Sequence, residues 1–264
     1  MRLDTPVQIE PAVLRIQALL KKVDRLRLPP DSRRDLESIF VRQVGKELDS
    51  ALPWQAGHAT RTAAIALMIG RTLALSVDAL HQVKLAALLH DIGLLMLPAR
   101  FRKGPAPLDS ASYVAIRGHS RLGANLLEPF SFLREASALI AHHHEWWDGT
   151  GYPYGIRGEF IPFGARILAV ADAFEAIQVP GVFDQFLRDR IAVRILRVAS
   201  GTQFDPSIVE KLSMCMEEGA RCTVCKIPGD ELAIPLDIEV GTVSPRFKSG
   251  VLKTSREPRP PSNL

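Results

Sequence analysis

The sequence predicts an all-α fold, and three observations carry that reading. Apolar residues recur at helical spacing in successive segments up to about residue 216. Strand signals stay weak before residue 230. Most of the chemistry-bearing His and Asp side chains fall at or near the ends of the predicted helices, as they do where a helical bundle gathers ligands around one point.

The elements follow in order. Residues 11–28 carry Val13, Leu14, Ile16, Leu19 and Leu20 at helical spacing, until Pro29 and Pro30 stop the pattern. Asp31 or Ser32 is expected to cap a second helix running toward Leu48. His58 to Leu75, rich in Ala, Ile, Leu and Met, reads as a helix buried on more than one side. Asp78 is expected to cap the next, which ends near His90 before a loop with Pro98, Pro105 and Pro107. Asp109 opens a helix through Leu127, and Phe132 to His144 forms another. Glycines and prolines crowd the segment GTGYPYGIRG, so residues 145–163 read as a loop. Helices resume over Phe163–Ile177, Asp184–Ala199 and Asp205–Met216. Beyond them ELAIPLDIEV reads as a short strand, and the chain past Ser244 as a mobile tail. The expected division is a helical segment 1–49, a main domain 50–219 and a C-terminal extension 220–264, partly strand or disordered.

Composition narrows the class. With 264 residues, 47% hydrophobic and 23% charged, the chain can bury a sizeable core. Charged residues or Pro interrupt every apolar run, so no membrane span is expected, and the N-terminus does not read as a secretory signal. An odd cysteine count of 3 argues for a reducing cytoplasm rather than a disulfide framework. Cys222 and Cys225 form a lone CxxC near Cys215, for which free thiols are the default reading. The net charge of +4 comes with no dense Lys/Arg block, so polymeric nucleic acid is not expected. Arg246, Lys248, Lys253, Arg256 and Arg259 place part of that excess in the tail. An anionic ligand remains compatible with this charge.

The stretch HHHEWWDGTGYP, His142 to Pro153, is a poor core and a good metal site beside a loop. The candidate ligands are His58, His90, Asp91, His119, His143, His144 and Asp172. His90 and Asp91 are adjacent and diverge by about 100° on a helix. They can therefore address two faces of a dinuclear centre, with the carboxylate between.

At this point the sequence resembles the HD-GYP family, a branch of the HD phosphohydrolases. The matching pieces are GHATR from Gly57, LLHDIG from Leu88, GHSRLGANLL from Gly118, HHEWWDGTGYP from His143, IPFGARILAVADAFEAI from Ile161 and GTQFDP from Gly201. The resemblance implies an HD-domain helical bundle with extra C-terminal helices that hydrolyses cyclic dinucleotides, chiefly cyclic di-GMP. It also implies one metal on His58, His90 and Asp172, with Asp91 bridging to a second on His119, His143 and His144. Iron is the first expectation and manganese the second. His90 and Asp91 stand at the reacting centre, and Tyr152 is a candidate contact for substrate or for a signalling partner at the GYP loop. Some members hold a third metal with a Glu where this chain has Trp54, which favours two. His142 is expected to be structural, and His81 a surface or satisfied core residue. Glu145 and Asp148 are split between orienting ligand histidines and shaping the loop.

The chain departs from the family where phosphate is bound. Leu94 stands for the usual Lys, QVPGVFDQ from Gln178 replaces an Arg-rich segment, and Trp146 replaces an Arg. Charge-assisted contacts to phosphate contribute roughly 1.5–3 kcal/mol each, so these losses matter. Arg102, Lys103 and Arg157 are the candidates to compensate. The alternatives left open are a cyclic dinucleotide phosphodiesterase, a metal-retaining regulatory module, and a hydrolase for a different phosphate ester. Residues before 50 are expected to pack on the domain or to mediate a homodimer.

Overall fold

The computed structural model describes residues 11–26, 30–101, 110–178 and 185–218. Ten α-helices occur among them: α1 (Pro11–Asp24), α2 (Pro30–Ala51), α3 (His58–Thr72), α4 (Val77–Leu89), α5 (Ser110–Arg117), α6 (His119–Leu127), α7 (Arg134–His142), α8 (Phe163–Ile177), α9 (Gln185–Val198) and α10 (Pro206–Glu218). Short 3-10 turns connect several of them, and the described residues contain no strand beyond an isolated bridge between Ser200 and Phe204. The all-α class expected from the periodicity is the class observed.

The spine is α4. Leu85 to Leu89 are all buried, too many consecutive positions for a helix with one wet face. The helix is accordingly surrounded by α2, α3, α7 and α8. Small residues let these neighbours approach closely: Ala63 and Ala66 on α3 and Ala165 and Ala171 on α8 are fully buried. Helix α1 buries Val13, Ile16, Leu20 and Val23 along one stripe and packs on α2. The N-terminal helices thus lie on the domain, and α2 runs without a break through position 49. A contact between Glu37 Oε2 and His81 Nε2 at 3.0 Å, with both side chains largely buried, ties α2 to α4. His81 is therefore a satisfied core residue.

Several boundaries differ from the periodicity. The helix expected from Asp109 to Leu127 is two, α5 and α6, parted at Gly118. Glycine is a poor helix residue, and there the ladder tightens to a bond from Gly118 N–H to the Ala115 carbonyl at 3.1 Å. Pro30 opens α2 rather than ending α1, because a first-turn proline forfeits no helical hydrogen bond. Ser76, not Asp78, caps α4: its side chain accepts from Ala79 N–H at 3.2 Å, while Asp78 pairs with Arg34 at 2.6 Å. The segment expected from Phe132 to His144 is helical only over α7, following a 3-10 turn at Ser131–Leu133. The expected strand, the tail, the CxxC cysteines, Asp109, Asp184, Arg102 and Lys103 lie outside the described residues.

Candidate metal centre

Helix ends aim the imidazoles. His90 follows the last residue of α4 and His143 the last of α7, both with helical backbone angles, while His119 is the first residue of α6. In each ring Nδ1 meets a carbonyl three residues earlier: His90 on Ala87 at 2.8 Å, His119 on Ile116 at 2.7 Å, His143 on Ile140 at 2.6 Å. A carbonyl only accepts, so each Nδ1 carries a proton and Nε2 is the atom left to face inward, where it can ligate once it is itself unprotonated. His58 opens α3 after Gly57, whose φ of 74° is left-handed backbone that glycine adopts freely. Its Nδ1 pairs with the Glu175 carboxylate, which Arg61 Nη2 anchors from the other side at 2.6 Å.

The Nε2 atoms then converge. His58 Nε2 lies 3.2 Å from His90 Nε2 and 3.0 Å from Asp172 Oδ1. His144 Nε2 lies 3.3 Å from His119 Nε2, and the rings of His143 and His144 are 3.9 Å apart. Two groups result, His58/His90/Asp172 and His119/His143/His144, each with donor atoms within 4.8 Å of one another. Asp91 spans them, with Oδ2 3.4 Å from His90 Nε2 and Oδ1 3.4 Å from His119 Nε2. One carboxylate oxygen toward each group is the disposition a bridging ligand needs. Every ligand candidate picked from the sequence is thus brought to one place.

The electrostatics suit cations. Burial lowers the pKa of His143 to about 3, with His90 and His119 adding to the effect, and the same forces lower His119 and His144. These rings are neutral near pH 7 and can act as ligands. Burial alone would raise Asp172, but the His58 and His90 rings, with Nε2 atoms 3.0 and 3.6 Å from its Oδ1, outweigh it and hold the carboxyl well below the usual carboxylate range. For His90, burial disfavours the charged ring, but Asp91 and Asp172 outweigh it and raise the pKa to about 9. His143 Nε2 is buried without a hydrogen-bond partner. An unused lone pair of this kind is costly in a protein interior and is explained by an ion. A mixed imidazole/carboxylate set fits divalent Fe, Mn or Zn.

Other residues surround this centre. Gln55, buried in the turn before α3, donates from Nε2 to Asp91 Oδ2 at 2.8 Å, whereas Trp54 packs on the core. Tyr152 stacks on His144 with ring centroids 4.8 Å apart, and burial raises its phenol pKa so that it stays protonated. Glu145 shapes the loop by accepting from Tyr154 N–H at 2.6 Å, and Asp148 does so by accepting from Thr150 N–H at 2.8 Å. His142 donates to the Ala138 carbonyl at 2.7 Å and lies against Tyr154, outside both donor groups. The GTQFDP block holds the loop in place: Trp147 N–H reaches the Gln203 carbonyl at 3.1 Å, and Asp205 clamps Arg166 at 2.7 Å. The stem of Arg157 packs on Gly149. Leu94 is buried in the 3-10 turn Ile92–Met96 at 5% exposure, so its side chain belongs to the core.

Fold and site together define an all-helical protein with paired His/Asp donor groups at converging helix ends. The HD domain family profile matches residues 42–208, and the chain belongs to that family, with the ordered motifs of its HD-GYP branch. It is 32% identical over 177 residues to the 3'3'-cGAMP-specific phosphodiesterase 3 of Vibrio cholerae, covering 67% of this chain and 38% of that protein. It is also 32% identical over 177 residues to the cyclic di-GMP phosphodiesterase response regulator RpfG of Xanthomonas campestris, covering 65% and 47%. The chain therefore matches less than half the length of these relatives. An HDGYP protein from Bdellovibrio bacteriovorus shares the fold, with a TM-score of 0.52 and 16% identity over 82% of this chain and 75% of the other. Among the described residues no helix is long and apolar enough to cross a membrane.

Proposed function

We propose that the protein is a metal-dependent phosphodiesterase acting on cyclic di-GMP or a related cyclic dinucleotide. The observation that carries the reading is Asp91 reaching across two donor groups. In it, His58, His90 and Asp172 hold one ion and His119, His143 and His144 the other, with Asp91 shared. Iron is the first choice and manganese the second, in keeping with the donor set. When bound, such a pair supplies Lewis acidity to the phosphodiester and lowers the pKa of the attacking water. The side chains do the rest: His90 and Asp91 fix the centre, Glu175 orients His58, and the Tyr152 phenol is a hydrogen-bond donor at the substrate side. Residues 50–219 form the working domain in this reading, and the odd cysteine count supports a cytoplasmic setting. Exposed Tyr154 and Phe160 support a signalling partner at the GYP loop, and exposed Leu14 and Ile39 support self-association through α1 and α2. The test is a panel of cyclic di-GMP, 3'3'-cGAMP and mononucleotide esters with metal-loaded protein. Linearised cyclic dinucleotide supports the proposal, and turnover of mononucleotides alone would redirect it. The buried Leu94, which removes a cation, favours a second reading as a regulatory module that keeps its metal.

Two consequences concern metal affinity. Glu175→Gln keeps the size of the side chain but removes the charge behind His58, and is expected to weaken metal binding by about 10–100-fold, as read by chelator competition. Binding also has a definite pH dependence. Without metal, His90 carries a proton below about pH 9, and that proton must leave when Nε2 becomes a ligand. Affinity is therefore expected to rise about tenfold per pH unit from about pH 7 and to level off near pH 9. Competition titrations across that range check the slope.

A further inference from the structure

Arginines close to the centre differ in whether their charge is already used. Arg61 pairs with Glu175 at 2.6 Å, and Arg166 with Asp205 at 2.7 Å. Arg117 meets no carboxylate among the described residues. Its guanidinium instead lies over the rings of Tyr152, at 4.4 Å, and Tyr113, at 5.7 Å. Arg117 is the last residue of α5, and His119 begins α6 after the break at Gly118. Tyr152 in turn stacks on His144 at 4.8 Å. A continuous stack therefore runs from a donor imidazole through a phenol ring to a half-buried cation.

The chemistry of that stack is specific. An aromatic face holds a guanidinium in place without consuming its N–H edges, which remain available to a planar or tetrahedral oxyanion. A carboxylate partner would have used those edges and cancelled the charge. The positions that would otherwise supply cations are apolar or neutral, with Leu94 buried in the core and Trp146 in the loop. We infer that Arg117 is the substrate-binding cation of this site and donates to a non-bridging oxygen of a phosphate held on the His119/His143/His144 side. The inference rests on the phosphodiesterase reading for its substrate, but the phosphate site itself can be tested without it. Tyr152 is then the platform that positions Arg117, which explains why a half-buried phenol stands between a ligand ring and a cation. The sequence offers Arg102, Lys103 and Arg157 for the missing charge; the break at Gly118 brings Arg117 from α5 instead.

The test uses the full metal-loaded chain and two variants, Arg117→Gln and Arg117→Lys, with inorganic phosphate as the probe. Calorimetric titration measures phosphate affinity, elemental analysis measures metal content, and steady-state assays measure hydrolysis of cyclic di-GMP and 3'3'-cGAMP. Arg117→Gln is expected to weaken phosphate binding by about 10-fold or more at unchanged metal content, with Arg117→Lys recovering part of the loss. The same variant should lower kcat/KM by about 10–100-fold. Phosphate binding to Arg117→Gln within about twofold of the unsubstituted protein overturns the assignment, as does failure of the unsubstituted protein to bind phosphate. Loss of metal from both variants also overturns it, because Arg117 would then only support the ring stack. Arg117-dependent phosphate binding without turnover of either dinucleotide keeps the assignment and removes the phosphodiesterase reading.

Discussion

Asp91→Asn is expected to lower hydrolysis of cyclic dinucleotides by about 10²–10³-fold or more while leaving the helices intact. The carboxylate addresses both donor clusters, with an oxygen 3.4 Å from His90 Nε2 and another 3.4 Å from His119 Nε2. Asparagine preserves the shape but loses the negative charge, and one of its two positions becomes an amide NH₂ that cannot ligate a cation. Whichever way the amide turns, one cluster loses its shared ligand. Gln55, which donates to Oδ2 at 2.8 Å, also favours placing the remaining carbonyl there. The His119 side is then the one left without an oxygen. Parallel measurement of metal content and turnover checks the prediction: metal should fall below that of the unsubstituted protein, and the lost activity should not return at high metal. Retained turnover would remove the bridging role.

Gly93→Ala is expected to damage the fold out of proportion to its size. A Cβ at this position would lie 1.9 Å from the His119 carbonyl oxygen and 2.6 Å from Gly123 N, so the obstruction is backbone rather than a mobile side chain. Either the turn Ile92–Met96 or helix α6 has to move. Overpacking of this kind costs about 1–3 kcal/mol and sometimes more, which for a domain of this size lowers Tm by about 2–12 °C. The same displacement acts on His119, so activity is expected to fall more than stability accounts for. Gly45→Ala is the control, since nothing lies within 4 Å of its would-be Cβ. In α2 it should be neutral or stabilising by up to about 1 kcal/mol. Melting curves of chelator-treated protein, with hydrolysis measured on the same preparations, separate the two effects.

The helix bodies were legible because burial imposes period 3.6 on the sequence, and α3, α4 and α8 fall where the apolar residues crowd. Their ends were less legible, because competing local groups decide them. Ser76 beats Asp78 as a cap, and Gly118 splits what periodicity joins. The donor set was legible because His and Asp in ordered motifs have few structural uses, and all of them converge. Residues that act on the donors were not. Glu175 lies one turn after Asp172 on α8, a spacing that puts both on one helix face and could have revealed it. Gln55 sits in a turn whose path no periodicity reports. Arg117 was hidden because its role depends on Tyr152, 35 positions away in sequence, arriving beneath it through the loop. Glu145 and Asp148, one and four positions after the ligand His144 in sequence, bond to loop backbone.

The most direct test of the central claim is anaerobic reconstitution with Fe(II) or Mn(II), in which metal bound per chain and linearisation of cyclic di-GMP and 3'3'-cGAMP are measured on the same samples. Activity rising with occupancy until both donor groups are filled, and abolished by chelation, is the predicted result. Fully loaded protein that leaves every cyclic dinucleotide intact would contradict it.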